Sequence, residues 1–366
     1  MVFTVLSGIL QKHLALTAHS ISTRTQLPIL SSILVRAKGD SVTLTATDLE
    51  LSIETTFQCV VDEEGEVAVP AKTFLELLSQ VPEGKITLKT SAQNTIQIVG
   101  ESISSKLQVQ PADEFPDIFE ETKVAFLTLQ PKDMEKITKY TLFATSSEVT
   151  KPIWSGVLCE RKENEIRFVA TDGFRLSLVS IPREEAGEEQ KGIVFSSRFL
   201  KELGALREDM PIQFYLSDQV NQIVAVQDGV RIAGRKIEGE FPSYSKIIPH
   251  EASSKIIVKK DDLLRAVKIC SVVARDSTSV LVCELHKDQM RMFAQTASVG
   301  ESTVTIEGTL KGEENAIAFN PRFLLDGVNA ISTDEVVFEM TAPLSPAVLK
   351  NTNDESFLHL IMPVRV

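Results

Sequence analysis

The chain has 366 residues, 43% hydrophobic and 24% charged, with a formal net charge of -12. That length exceeds one ordinary core and predicts two or three domains, in a composition without the polar bias of disorder. No apolar run of about 18 residues exists, which excludes a membrane-spanning helix, and the acidic balance excludes a protein that grips nucleic acid over its whole surface, though not one that confines Lys and Arg to a single face.

The start, Met1-Val2-Phe3-Thr4-Val5-Leu6, carries no basic segment and no small-residue cleavage site, which argues against a secretory signal and for a cytoplasmic protein. Cys59, Cys159, Cys270 and Cys283 stand far apart with no CxxC pair. They read as buried thiols in a reducing compartment.

Sliding the chain against itself exposes a threefold repeat. Ala46-Thr47-Asp48-Leu49-Glu50-Leu51-Ser52-Ile53 recurs 124 residues later as Ala170-Thr171-Asp172-Gly173-Phe174-Arg175-Leu176-Ser177-Leu178, and a fainter copy begins at Ala294. Pro28-Ile29-Leu30-Ser31 answers at the same spacing to Pro152-Ile153-Trp154-Ser155, and Phe74-Leu75 recurs as Phe199-Leu200 and Phe323-Leu324. Several markers in one order at nearly one spacing indicate three homologous domains, placed at 1–120, 127–245 and 246–366.

Each repeat opens with helical spacing: Ile9, Leu10, Leu14 and Leu16, then Met134, Ile137 and Leu142, then Leu263, Leu264 and Val267. Alternation over 41–45 and 166–169 predicts half-buried strands. A second short helix is expected at 73–80, 197–206 and 321–328, followed by strands that include 85–88 and 211–214. Asp261-Asp262 is the expected cap of the third long helix. Strand runs with two helices per repeat predict α+β domains with antiparallel sheet. Phe115-Pro116-Asp117 and Phe241-Pro242-Ser243 mark the junctions, and the acidic run 183–190 reads as a solvated loop.

ATDGFRLS in the second repeat, GEFPSYSKIIP closing it and the terminal MPVRV make the whole chain resemble the bacterial sliding clamp family, the beta subunits of DNA polymerase III. The resemblance implies three DNA-clamp repeats with antiparallel sheets outside and helices inside a ring. It implies a head-to-tail homodimer encircling double-stranded DNA without sequence specificity, opened by an ATP-dependent clamp loader, with no catalysis and no cofactor. Partners would be the DNA polymerase III alpha subunit, clamp loader subunits, other polymerases and repair proteins. They would dock through a peptide bearing a glutamine followed by aliphatic and aromatic anchors.

Carried over by motif, the peptide cleft comprises Thr171, Gly173, Phe174, Arg175, Leu176, Pro242, Lys246, Ile247, Asn320, Phe323, Ile361, Met362, Pro363, Val364, Arg365 and Val366. Aliphatic and Met side chains make an adaptable apolar floor, with a few polar groups to fix orientation. From the residues alone, Gly173 and Arg175 read more simply as a tight turn with a surface arginine. Two positions depart from the family pattern: Lys246 replaces a common arginine, a point charge for a planar fork, and Val366 replaces a common leucine.

Arg24 matches a family DNA-contact position, and helix placement adds Lys136, Lys139, Arg198, Lys201, Arg207, Arg265, Lys268 and Arg275. Lys136 and Lys139 share a helix face, as do Arg265 and Lys268; a solvated charged face is the better explanation of any single one, and only as a set on one surface do they suggest phosphate contact. Leu107, Val109, Val272 and Val273 align with family interface positions, and ordinary core is the competing reading. His13, His19, His250, His286 and His359 are scattered, without metal or nucleophile motifs. Thr47-Asp48 repeats Thr171-Asp172 in a sister domain, which points to a structural turn. Two other readings stay open: a repeat-built interaction module without DNA, and an enzyme with its site at a domain junction.

Overall fold

The computed structural model describes residues 1–22, 27–91, 93–119, 124–148, 150–183, 192–207, 209–217, 221–274 and 280–365. Among them the chain forms α1 (Ser7–Thr17), α2 (Ala71–Ser79), α3 (Pro131–Thr141), α4 (Ser197–Leu203), α5 (Lys260–Ala274) and α6 (Pro321–Ala330) between antiparallel strands. None of these helices is long and apolar enough to cross a membrane. Each repeat thus has one long and one short helix, as the periodicity predicts.

Boundaries differ in detail. Leu142 lies outside α3, opening the 3-10 turn Leu142–Ala144. α4 stops at Leu203, where the Gly204 amide closes on the Leu200 carbonyl; glycine is the residue that ends a helix most readily. The next strand starts at Ile212 rather than Pro211, because proline has no amide to give a ladder. α5 begins at Lys260, so Asp261 and Asp262 sit in its first turn, where carboxylates favour the positive helix end, and do not cap it. The acidic run after Arg183 lies outside the described residues.

Contacts gather the chain into two compact units, Met1–Lys132 with Arg198–Lys236, and Asp133–Ser197 with Ile237–Val366. These units cut through the middle repeat, because its strands join the sheets of both neighbours. In the first unit, one sheet runs in the order Val60–Glu63, Val2–Leu6, Lys85–Ser91, Thr95–Val99, Ser104–Gln108. A second runs Leu127–Leu129, Ile212–Ser217, Gln222–Gln227, Val230–Arg235, Leu51–Gln58, Ser41–Thr47, Ser32–Lys38, Gly65–Pro70. Val230–Arg235 pairs with Leu51–Gln58 in the register Ile232 to Ile53, so this sheet crosses from the middle repeat to the first.

Among the described residues the second unit holds one sheet of twelve strands. There Arg175–Pro182 of the middle repeat pairs with Asp354–Ile361 of the third, Ser177 opposite His359. The same joint therefore occurs twice: the last strand of one repeat pairs with a middle strand of the repeat before it.

The core takes up the predicted faces in part: of the apolar positions expected on α1, Ile9 is exposed and Leu16 half-buried. Leu10 and Leu14 of α1 and Phe74 and Leu78 of α2 pack with Phe3, Val35, Leu44, Ile86 and Leu88 in one buried cluster. Fully burying such a side chain contributes about 1.5–3 kcal/mol. α5 buries Leu263, Ala266, Val267, Cys270 and Ala274 while Arg265, Lys268, Ile269 and Val272 face out. Cys159, Cys270 and Cys283 are buried thiols, but Cys59 is only half-buried, because it stands between Leu51–Gln58 and Val60–Glu63, where the chain changes sheets.

Candidate functional site

The repeated Thr-Asp segment is a turn built twice by the same bonds. Asp48 Oδ1 accepts from the amides of Glu50 and Leu51, and Asp172 Oδ1 from those of Phe174 and Arg175. Thr47 and Thr171 hydroxyls accept from the amides of Leu49 and Gly173. Both turns need a left-handed residue: φ is +74° at Leu49 and +89° at Gly173. The aspartates are therefore turn-builders, as their repetition implies. At Gly173 a Cβ would also fall 2.7 Å from the Trp154 ring, so glycine serves packing against that indole as well.

The two copies part at the residue after the turn. Leu51 is ordinary core, whereas Arg175 is a buried arginine, only 5% exposed. The surface-arginine reading is therefore corrected. Arg175 Nε donates to Asp172 Oδ2 at 3.0 Å, Nη1 to Asp326 Oδ2 and Nη2 to the Phe143 carbonyl at 2.6 Å. Its guanidinium lies 4.6 Å from the centroid of Phe323. A desolvated cation survives only with such partners, and two carboxylates, a carbonyl and an aromatic face supply them.

Around this socket the structure gathers several predicted cleft residues. Phe174 is 61% exposed and stacks on Phe323, with ring centroids 6.2 Å apart. Asn320 caps α6, its side chain accepting from the Arg322 amide. Ile361, fully buried, ends the last strand opposite Arg175. The chain then leaves the sheet: the Met362 amide donates to the Phe174 carbonyl at 2.9 Å and the Val364 amide to the Ala318 carbonyl at 2.8 Å. Met362 is 38% exposed, Pro363 and Val364 are half-buried, and Arg365 is exposed. Val366 lies outside the described residues.

The remaining cleft candidates divide. Thr171 and Leu176 are buried; Leu176 packs with Tyr244 and Leu360 in the cluster beneath. Pro242, Lys246 and Ile247 are exposed on the segment that Tyr244 anchors to that cluster. Geometry adds Trp154, Phe143 and Asp326 to the set. Trp154 was legible only as a repeat marker, and Asp326 gave no local signal.

Behind the socket sits His359, fully buried, with Nδ1 2.7 Å from Ser177 Oγ. Gly327 lets α6 approach the ring closely, since a Cβ there would collide with it. Burial, reinforced by the positive charge of Arg175, pushes the pKa of His359 down to about 3.

The basic residues are less uniform than the sequence implied. In the second unit, Lys136 and Lys139 are exposed on one face of α3, and Lys139 Nζ bonds the Ser332 hydroxyl. Lys268 is exposed on α5, while Arg265 is paired with Asp262. In the first unit Lys201 is exposed, Arg198 is paired with Asp48, and Arg207 is paired with Asp209 and Asp228. Arg24 and Arg275 lie outside the described residues.

Of the interface candidates, Val272 is 61% exposed and Val273 half-buried on α5. Leu107 and Val109 are half-buried against the first core. Among the described residues, no group of His, Cys, Asp and Glu could hold a metal ion.

Three family profiles match in succession: DNA polymerase III beta subunit, N-terminal domain, over residues 1–119; its central domain over 128–243; and its C-terminal domain over 245–365. A beta sliding clamp from Staphylococcus epidermidis is 27% identical, covering 100% of this chain and 99% of its own length. The beta subunit of Streptococcus pyogenes DNA polymerase superposes with a TM-score of 0.95 at 24% identity, covering 100% of both chains. The DNA polymerase sliding clamp of Bacillus subtilis does so with a TM-score of 0.94 at 24% identity, covering 100% of this chain and 99% of that one. With a matching profile over each of its three repeats, the chain belongs to the DNA polymerase III beta subunit family, the bacterial sliding clamps.

Proposed function

We propose that two copies of the chain close head to tail into a ring around duplex DNA and tether DNA polymerases to it, as a cytoplasmic accessory subunit with no chemistry of its own. One observation carries this reading: a pattern of strand pairing that the single chain leaves incomplete. The last strand of the middle repeat pairs with Leu51–Gln58 of the first, and the last strand of the third pairs with Arg175–Pro182 of the middle. Among the described residues the last strand of the first repeat, Ser104–Gln108, pairs only with Thr95–Val99 and stands at a sheet edge. The corresponding middle strand of the third repeat, Gly300–Gly312, is paired with Gln289–Thr296 over its first half, and among the described residues no strand lies on the other side there.

Unpaired edges of this kind are templates for another chain, and a heterologous contact whose rotation closes makes a ring. Leu107 lies on the first edge, and α5 with Val272 and Val273 packs on the strand bearing the second.

In this reading the clamp domains are 1–120, 127–245 and 246–366. An ATP-dependent loader opens the ring, and exposed lysines on α3, α4 and α5 contact phosphates without reading sequence. The DNA polymerase III alpha subunit, other polymerases, repair proteins and loader subunits dock peptides beside Phe174, Phe323 and the tail. Light scattering tests the ring closure. The wild type is expected at twice its 40.4 kDa chain mass, and Val272→Asp with Val273→Asp at one chain mass, because unpaired charge in an apolar contact is costly. A dimeric double variant, or a monomeric wild type, would reject this closure.

A further inference from the structure

The arginine socket exists twice, filled from opposite directions. In the first unit Arg198, on α4, donates to Asp48 and to the His19 carbonyl at 3.0 Å. In the second unit Arg175 donates to Asp172 and to the Phe143 carbonyl. Asp48 and Asp172 are separated by the repeat offset of 124, and so are His19 and Phe143. One guanidinium therefore binds the same carboxylate and the same carbonyl in both copies. The helix supplies it in the first copy, and the strand supplies it in the second. The counterpart of Arg175 in the first copy is Leu51, which cannot compete for the socket.

The counterpart of Arg198 in the second copy is Arg322, again an arginine. Its socket is taken, and the nearby carboxylate one helical turn on, Asp326, is held by Arg175. Arg322 is exposed and makes no ion pair with any described residue. It also stands in the first turn of α6, where the helix dipole disfavours a cation, so helix stability gives no reason for it. Arg198 shows that a side chain at this helix position spans the distance to the turn. In the second copy that turn presents Phe174.

We propose that Arg322 is a specificity residue of the cleft, pairing with an acidic side chain that a partner peptide carries beside its apolar anchors. This rests on the peptide-cleft reading above. Acetylated Gln-Leu-Asp-Leu-Phe and Asp-Gln-Leu-Ser-Leu-Phe, each with its Asn-for-Asp isostere, serve as calorimetric probes of the full chain.

In the wild type, the Asp member of at least one pair is expected to bind roughly 2- to 5-fold more tightly, the scale of an exposed ion pair. That ratio should shrink at high ionic strength. It should fall to one in Arg322→Gln and be partly kept in Arg322→Lys, with thermal melts confirming that both variants fold. Equal affinities within both pairs, or a ratio that survives in Arg322→Gln, would overturn the assignment while leaving the cleft standing. A wild type that binds none of the four peptides would reject the cleft itself and this role with it.

Discussion

His359 gives a stability that depends on pH in a calculable way. In the folded chain its pKa is pushed down to about 3 by burial and by the charge of Arg175, whereas an unfolded histidine titrates near its ordinary value of 6.5. Between those values the unfolded chain binds a proton that the folded chain refuses. The stability is thus present above the unfolded pKa and is lost as pH falls below it. Moving from pH 7 to pH 5 should cost about 2 kcal/mol from this residue alone, set by the unfolded titration. His359→Gln, which keeps a polar partner for Ser177, should be less stable at both pH values but lose far less between them.

His13, also pushed down by burial, is common to both proteins and cancels in the comparison. The single tryptophan, Trp154, lies in the same compact unit as His359, so urea unfolding followed by its fluorescence reads the relevant transition. Equal losses in wild type and variant would show that His359 titrates normally and that α6 does not seal it.

Two further outcomes concern the cleft. Deleting residues 362–366 removes the bonds from the Met362 and Val364 amides but leaves Ile361 in its strand; it should abolish binding of the pentapeptide probe while barely shifting the melting temperature, and a sharp melting loss would make the tail a structural strand extension instead. Gly173→Ala places a methyl against the Trp154 ring at a left-handed φ; it should destabilise the second unit by about 1–3 kcal/mol and alter tryptophan fluorescence, and an unchanged melt would show that the turn relaxes freely.

The repeat, the helices and the twin turns were legible because they rest on local spacing and on residues that recur at one offset. The helix ends were less so: Leu142 fits the apolar rhythm of α3 yet turns away after Thr141. Arg175 could not be placed from its neighbours, since its second carboxylate, Asp326, is 151 residues distant and its carbonyl acceptor, Phe143, lies 32 residues away. The same holds for the sheets. The pairing of Val230–Arg235 across a repeat boundary to Leu51–Gln58 is a long-range choice that no single segment encodes. Charge was misleading in part, because Arg198, Arg207 and Arg265 look available in sequence yet are bound to carboxylates in the fold.

The most direct test of the clamp is how it leaves DNA. After loading by a clamp loader with ATP onto nicked circular duplex, the protein should co-elute with the DNA in gel filtration, and cutting the circle once with a restriction enzyme should release it. Direct binding without the loader should be weak and fall steeply with salt. Retention that survives linearisation with open ends would mean that the protein grips DNA by contact, and would contradict a ring threaded by the duplex.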